Sequence, residues 1–170
     1  MRLRFFHIFL FAFTFVLFSC KPDNSASTNV ELITTLKLNF KNSGKVYQYK
    51  ILNSKVTVDT IYISKNTTDT FNVSVFDESK TPAIDLTSDI NMKKNDHQFF
   101  YTSSASLNLS TRYLDRDAKD YPIGLMMEIS VSNISNGNLN IILKHQPDIK
   151  DGSVNTGATD VNVTFPVKII

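Results

Sequence analysis

The sequence predicts an all-β fold: an antiparallel β-sandwich of seven to nine strands with one short helix. Three observations lead there. Apolar and polar residues alternate at period two along most of the chain after residue 30, the signature of strands with one buried and one wet face. Gly- and Asn-containing clusters punctuate the alternating runs as turns do. Between them the composition is rich in Asn, Ser and Thr, interleaved with β-branched and aromatic residues, at 42% hydrophobic overall, enough to bury a core.

Taken in order, residues 31–40 place Leu32, Leu36, Leu38 and Phe40 on one face, and 46–52 place Tyr47, Tyr49 and Ile51 together. Asn42-Ser43-Gly44 reads as the hairpin turn between these two runs. Across 56–63 the apolar phase switches from Val56/Val58 to Ile61/Ile63, which predicts a β-bulge near Asp59. Phe71, Val73 and Val75 alternate in 70–76, and the one helical stretch is Pro82 to Asn95, with Pro82 in the first turn. Leu107, Leu109 and Tyr113 follow, then Leu125, Met127, Ile129 and Val131. Ser135-Asn136-Gly137-Asn138 carries the Asn-Gly pair of a type I′ hairpin turn before Leu139, Ile141 and Leu143. The last strand aligns Val161, Val163, Phe165, Val167 and Ile169, and Pro166 within it predicts an edge position. Two sheets of this kind bury their apolar faces against each other, in an Ig-like or transthyretin-like arrangement.

The N-terminus predicts an address. Arg2 and Arg4 precede an apolar run from Phe5 to Phe18, the layout of a secretory leader and shorter than the ~20 residues a spanning helix needs. Leu17-Phe18-Ser19-Cys20 resembles a bacterial lipobox, which makes Cys20 the lipidated first residue of the mature chain. Two or more acyl chains anchor stably, and "KPDNSASTN" after the cysteine reads as a flexible tether. The expected organisation is therefore a signal peptide over 1–19, a lipidated tether over 20–29 and a β-sandwich domain over 30–170. The expected location is the outer membrane, on its periplasmic face or at the cell surface.

Removing the leader takes Arg2 and Arg4 with it, and these account for the whole excess of 18 basic over 16 acidic side chains. A neutral mature chain with no Lys/Arg stripe argues against nucleic acid as a partner. With the single Cys acylated, disulfides, cysteine nucleophiles and cysteine-ligated metals are excluded. No G-x-S-x-G elbow, H-E-x-x-H or phosphate-cradling Gly-rich loop is present, and the chain is read as a non-enzyme.

The stretches "ELITTLKL" (31–38), "DESKTPAIDLTSDI" (77–90), "HQFFY" (97–101), "YLDRD" (113–117), "PIGL" (122–125), "LKHQP" (143–147) and "TDVNVTFPV" (159–167) resemble a family of small lipoproteins from Bacteroidota. Members are often labelled as belonging to the type 1 periplasmic-binding fold superfamily. That fold has two α/β lobes with parallel sheets and about twice this length, and the strand pattern outweighs the label. The resemblance implies a membrane-anchored, non-catalytic binding or accessory module, with a TonB-dependent outer-membrane transporter as its partner. The alternatives are a metal or small-ligand capture protein using His97 and His145 or the Asp115 loop, and a structural envelope protein.

Four groups of residues are candidates for chemistry. His97 and His145, the only histidines past His7, would form a zinc or copper site with a carboxylate, Asp96 or Asp148, if the segments meet, against the alternative of two separate histidines near strand ends that bond to backbone or water. Asp115, Asp117 and Asp120 share one loop, and closely spaced carboxylates suit calcium. The family resemblance suggests a D-x-D-x-[ND]-G loop, from which Lys119 departs, and a solvated hairpin with Asx-turns explains the same residues. No cofactor is expected, a divalent metal at one of these two groups being the exception the residues would allow. Tyr101, Tyr113 and Tyr121 would supply an aromatic surface for a sugar or porphyrin, or else pack at the sheet margins. Asp59-Thr60-Ile61 resembles the O-glycosylation acceptor of Bacteroidota, with Thr60 the modified residue, against the alternative of an ordinary strand threonine.

Overall fold

The computed structural model describes residues 32–170. The leader, Cys20 and the tether lie outside the described residues. Within them the chain runs β1 (Thr35–Phe40), β2 (Val46–Leu52), β3 (Lys55–Val58), β4 (Ile61–Ile63), β5 (Thr67–Asp77), β6 (Ile84–Asp85), α1 (Thr87–Met92), β7 (His97–Ser103), β8 (Leu109–Tyr113), β9 (Met126–Val131), β10 (Ser135–His145) and β11 (Ala158–Ile169). One sheet has the order β3-β2-β1-β5-β9-β8 with β6 beside β5, the other β4-β11-β10-β7. The all-β sandwich is as the alternation predicted, with more strands. No helix among the described residues is long and apolar enough to cross a membrane.

The core is built from the alternating faces. Leu36 and Leu38 of β1, Phe71 and Val75 of β5, and Met127 of β9 come from one sheet. Phe99 of β7, Leu139, Ile141 and Leu143 of β10, and Phe165 of β11 come from the other, and all belong to one buried cluster. Each side chain so buried stabilises the fold by roughly 1.5–3 kcal/mol. Leu32 does not join them: it precedes β1 and stays exposed.

Four local expectations are corrected, and one strand is added. The phase switch near Asp59 is not a bulge: β3 ends at Val58 and β4 begins at Ile61 in the opposite sheet, pairing parallel with β11. Each sheet needs its own inward phase, and the switch marks the crossing. The helix is shorter than Pro82–Asn95, because Ile84 and Asp85 pair with Asp77 and Phe76 as β6 and leave only Thr87–Met92 helical. Asn136-Gly137 is no turn. It lies inside β10, paired with Lys168 and Val167, and the chain reverses at residues 132–134. The glycine is there for close approach, since a Cβ on it would overlap Ser104 Oγ and meet Leu107 Cβ at 3.0 Å.

Pro166 is not in an edge strand, because β11 lies between β4 and β10. The local requirement is met all the same. Ile170 donates its N–H to Ile63 O on the β4 side, so alternation turns the Pro166 nitrogen to that side too. There β4 pairs only from Val167 onward, and no ladder bond is lost. Finally, β7 was not foreseen. His97, Gln98 and Phe99 are all buried, so "HQFFY" shows no period-two signal.

Candidate metal centre

At one end of the sandwich the register of the smaller sheet brings the two histidines together. Antiparallel pairing of β7 with β10 sets His97 directly opposite His145, and cross-strand neighbours of this kind are in contact. The rings stack with centroids 4.6 Å apart and planes within 4° of parallel. His97 is buried, while His145 is half-exposed.

The third member comes from β11. Leu143 pairs with Val161 and Lys144 with Thr159, so Asp160 is the extra residue of a β-bulge. Strand phase alone would send Asp160 outward, opposite Val161 and Val163. The bulge re-aims it, as bulges beside functional sites do, and brings Asp160 Oδ2 to 3.7 Å from His97 Nε2, with both side chains under 5% exposed. One donor atom from each of His97, His145 and Asp160 lies within 4.8 Å of the others, and this is the metal-competent group of three among the described residues.

The state of His97 follows from its other nitrogen. Nδ1 lies 3.1 Å from the carbonyl oxygen of Lys93. A carbonyl only accepts, so Nδ1 carries the proton and Nε2 is left to face Asp160. Fixing the tautomer through a backbone carbonyl is how metal-ligating histidines are oriented. Nε2 and Oδ2 are too far apart for a direct hydrogen bond and close to the ~3.3 Å spacing of two donors on a tetrahedral zinc ion. Two imidazoles and a carboxylate suit zinc, copper or iron rather than calcium.

A tightly bonded floor holds the segment before His97. Lys93 N–H donates to Asp89 O and Asp96 N–H to Lys93 O, while Gln146 N–H donates to Asp96 O at 2.6 Å. Lys150, reaching from the β10–β11 loop, donates to Lys94 O at 2.9 Å and pairs with Asp117 Oδ2 at 2.8 Å, the two side chains 1% and 0% exposed. Burial pushes the Asp117 carboxyl up. The Lys150 ammonium and the N–H groups of Lys119 and Tyr121 outweigh that, and hold it below the ordinary carboxylate range.

The other candidates are placed elsewhere. The carboxylate beside the histidines is neither Asp96 nor Asp148: Asp96 contributes its backbone carbonyl, and Asp148 sits exposed at φ 61° in the turn after β10. The aspartates of the 115–120 loop do not converge. Asp115 accepts N–H bonds from Gly124, Leu125 and Met126, Asp117 is taken by Lys150, and Asp120 lies 3.6 Å from Arg116 in solvent. These carboxylates hold the loop rather than frame an ion. Tyr101 and Tyr113 form no open platform either. Their hydroxyls donate to Gly124 O at 2.5 Å and Phe99 O at 2.9 Å, and their rings meet edge-on. Thr60 is half-buried in the link between β3 and β4.

Asp160 was missed because nothing in "TDVNVTFPV" announces a bulge; the register shift against β10 creates it. Compared with family models, curated proteins and solved structures, the chain matches none.

Proposed function

We propose that this protein is a non-catalytic binding module of the cell envelope whose ligand is a divalent transition-metal ion held by His97, His145 and Asp160. The observation that carries the reading is the convergence of three donors from three neighbouring strands, with His97 oriented by the Lys93 carbonyl. His97 and Asp160 form the buried half of the site, and half-exposed His145 stands at its mouth. Three protein ligands leave a coordination position open, which suits capture and hand-over better than permanent structural binding. Envelope anchoring through Cys20 is supported by the lipobox and leader, and the accessory role beside an outer-membrane transporter by the family resemblance.

Thermal unfolding of the purified protein against zinc, copper and calcium tests the reading. Zinc at one hundred times its Kd would stabilise by about 2.7 kcal/mol, a rise in Tm of roughly 8–10 °C for a domain of this size. His97→Ala and Asp160→Asn should abolish the rise, and calcium should give none. A flat response to zinc and copper would refute the metal reading and leave the accessory module without a site.

A further inference from the structure

The stacked histidines carry a second message, which rests on the metal reading above. An imidazole donates to a metal through a lone pair that lies in the ring plane. Two rings within 4° of parallel and 4.6 Å apart at their centroids cannot both aim in-plane lone pairs at one ion. Their planes are at least ~3.5 Å apart at van der Waals contact. An ion shared midway would stand ~1.7 Å or more out of each plane, most of a metal–nitrogen bond of ~2.0–2.1 Å. The stacked pair is therefore a resting arrangement, and one ring must turn before both can bind.

The surroundings decide which ring turns. His97 is 3% exposed, has Nδ1 on Lys93 O and Nε2 beside Asp160. His145 is half-exposed and, among the described residues, its contact through the ring is the stack on His97. Its χ2 torsion is of the broad, weakly restricted kind.

We infer that His145 is a swinging ligand: His97 and Asp160 form a fixed seat, and the His145 ring leaves its stack on His97 to close the coordination sphere over an incoming ion. Stacking and ligation then compete for the same ring. Unloading the ion restores the stack, so release requires no movement of the strands. This matches a site that exchanges its ion.

The test is zinc titration followed by NMR on the purified protein. Without zinc, ring protons of His97 and His145 should show mutual contacts. At saturation these should vanish, while His145 ring-nitrogen shifts report ligation and His97 keeps its Nδ1–H. Zinc bound with the ring contacts intact would overturn the swing while leaving the metal reading standing. No zinc binding at all would sink the metal reading itself. His145→Phe separates ligand from packing, since it keeps a stacking ring and removes the donor. It should fold with an unchanged Tm and bind zinc more weakly by roughly 100-fold, the upper end of what even an outer-shell partner costs. Wild-type affinity in that variant would remove His145 from the site and refute the inference.

Discussion

Replacing Lys150 by Met should destabilise the protein by about 3 kcal/mol, and replacing Asp117 by Leu by about 5 kcal/mol, within the range for breaking one side of a buried ion pair. The order follows from what each change leaves behind. After Lys150→Met, the Asp117 carboxylate keeps the backbone N–H groups of Lys119 and Tyr121 at 2.8 and 3.0 Å. After Asp117→Leu, both N–H groups lose their acceptor, and the Lys150 ammonium is left buried with only Lys94 O at 2.9 Å. Each orphaned polar group costs about 1–3 kcal/mol. The double variant should cost far less than the roughly 8 kcal/mol sum, near 3 kcal/mol, because the stranded charge is gone and what remains is two N–H groups without their acceptor and the Lys94 carbonyl without its Lys150 donor. Urea unfolding at pH 7 with all four proteins measures this directly, the non-additivity being the coupling between the partners. A Lys150→Met cost below about 1 kcal/mol, or strict additivity, would refute the reasoning. The pair would then be one that water reaches and screens.

The same pair sets an acid limit. The Asp117 carboxyl is held below its ordinary value in the fold, so its contribution is fully present above the unfolded pKa of about 3.9 and is lost as pH falls through the lower, folded value. Unfolding free energy should therefore drop below about pH 4, and the drop should be shallower in Lys150→Met, as a pH series of urea melts would show. At the alkaline end, burial first, then the charges of Tyr113 and Asp115, push the Tyr101 phenol well above its usual range. A phenol so raised contributes stability below about pH 10 that is lost as pH climbs further. Absorbance titration of the 6 tyrosines should therefore leave Tyr101 un-ionised until the protein unfolds, and a single smooth titration of all of them would contradict this. Gly157 stands at φ 76°, where a Cβ would run into the carbonyl oxygen of His145. Gly157→Ala should cost 2 kcal/mol or more, roughly, from left-handed strain together with backbone overlap, and should weaken zinc binding by displacing His145. Phe71→Ala, at a fully buried ring, should cost about 3–5 kcal/mol in thermal unfolding without changing zinc affinity.

Period-two alternation by itself determined the class of fold and most of the core. The inward sets Leu36-Leu38-Phe40, Phe71-Val73-Val75 and Val161 to Ile169 are buried as their spacing required, because a half-wet strand has no other way to satisfy both faces. His97 and His145 stood out in sequence because they were scarce, but their meeting did not. It depends on the pairing of β7 with β10 across 47 intervening residues, and β7 itself was hidden because consecutive residues there are buried on both faces. Asn136-Gly137 shows the same limit: a turn signal by local propensity became a close-packing glycine once residues 104–107 lay against it. Asp160 marks the boundary most sharply. Its phase pointed outward, and only the bulge produced by the register shift between β10 and β11 turned it toward His97. Local patterning is a property of neighbours along the chain, so it reaches as far as strand faces. Registers and bulges are settled by how separate strands fit against each other, and the metal centre is made of those.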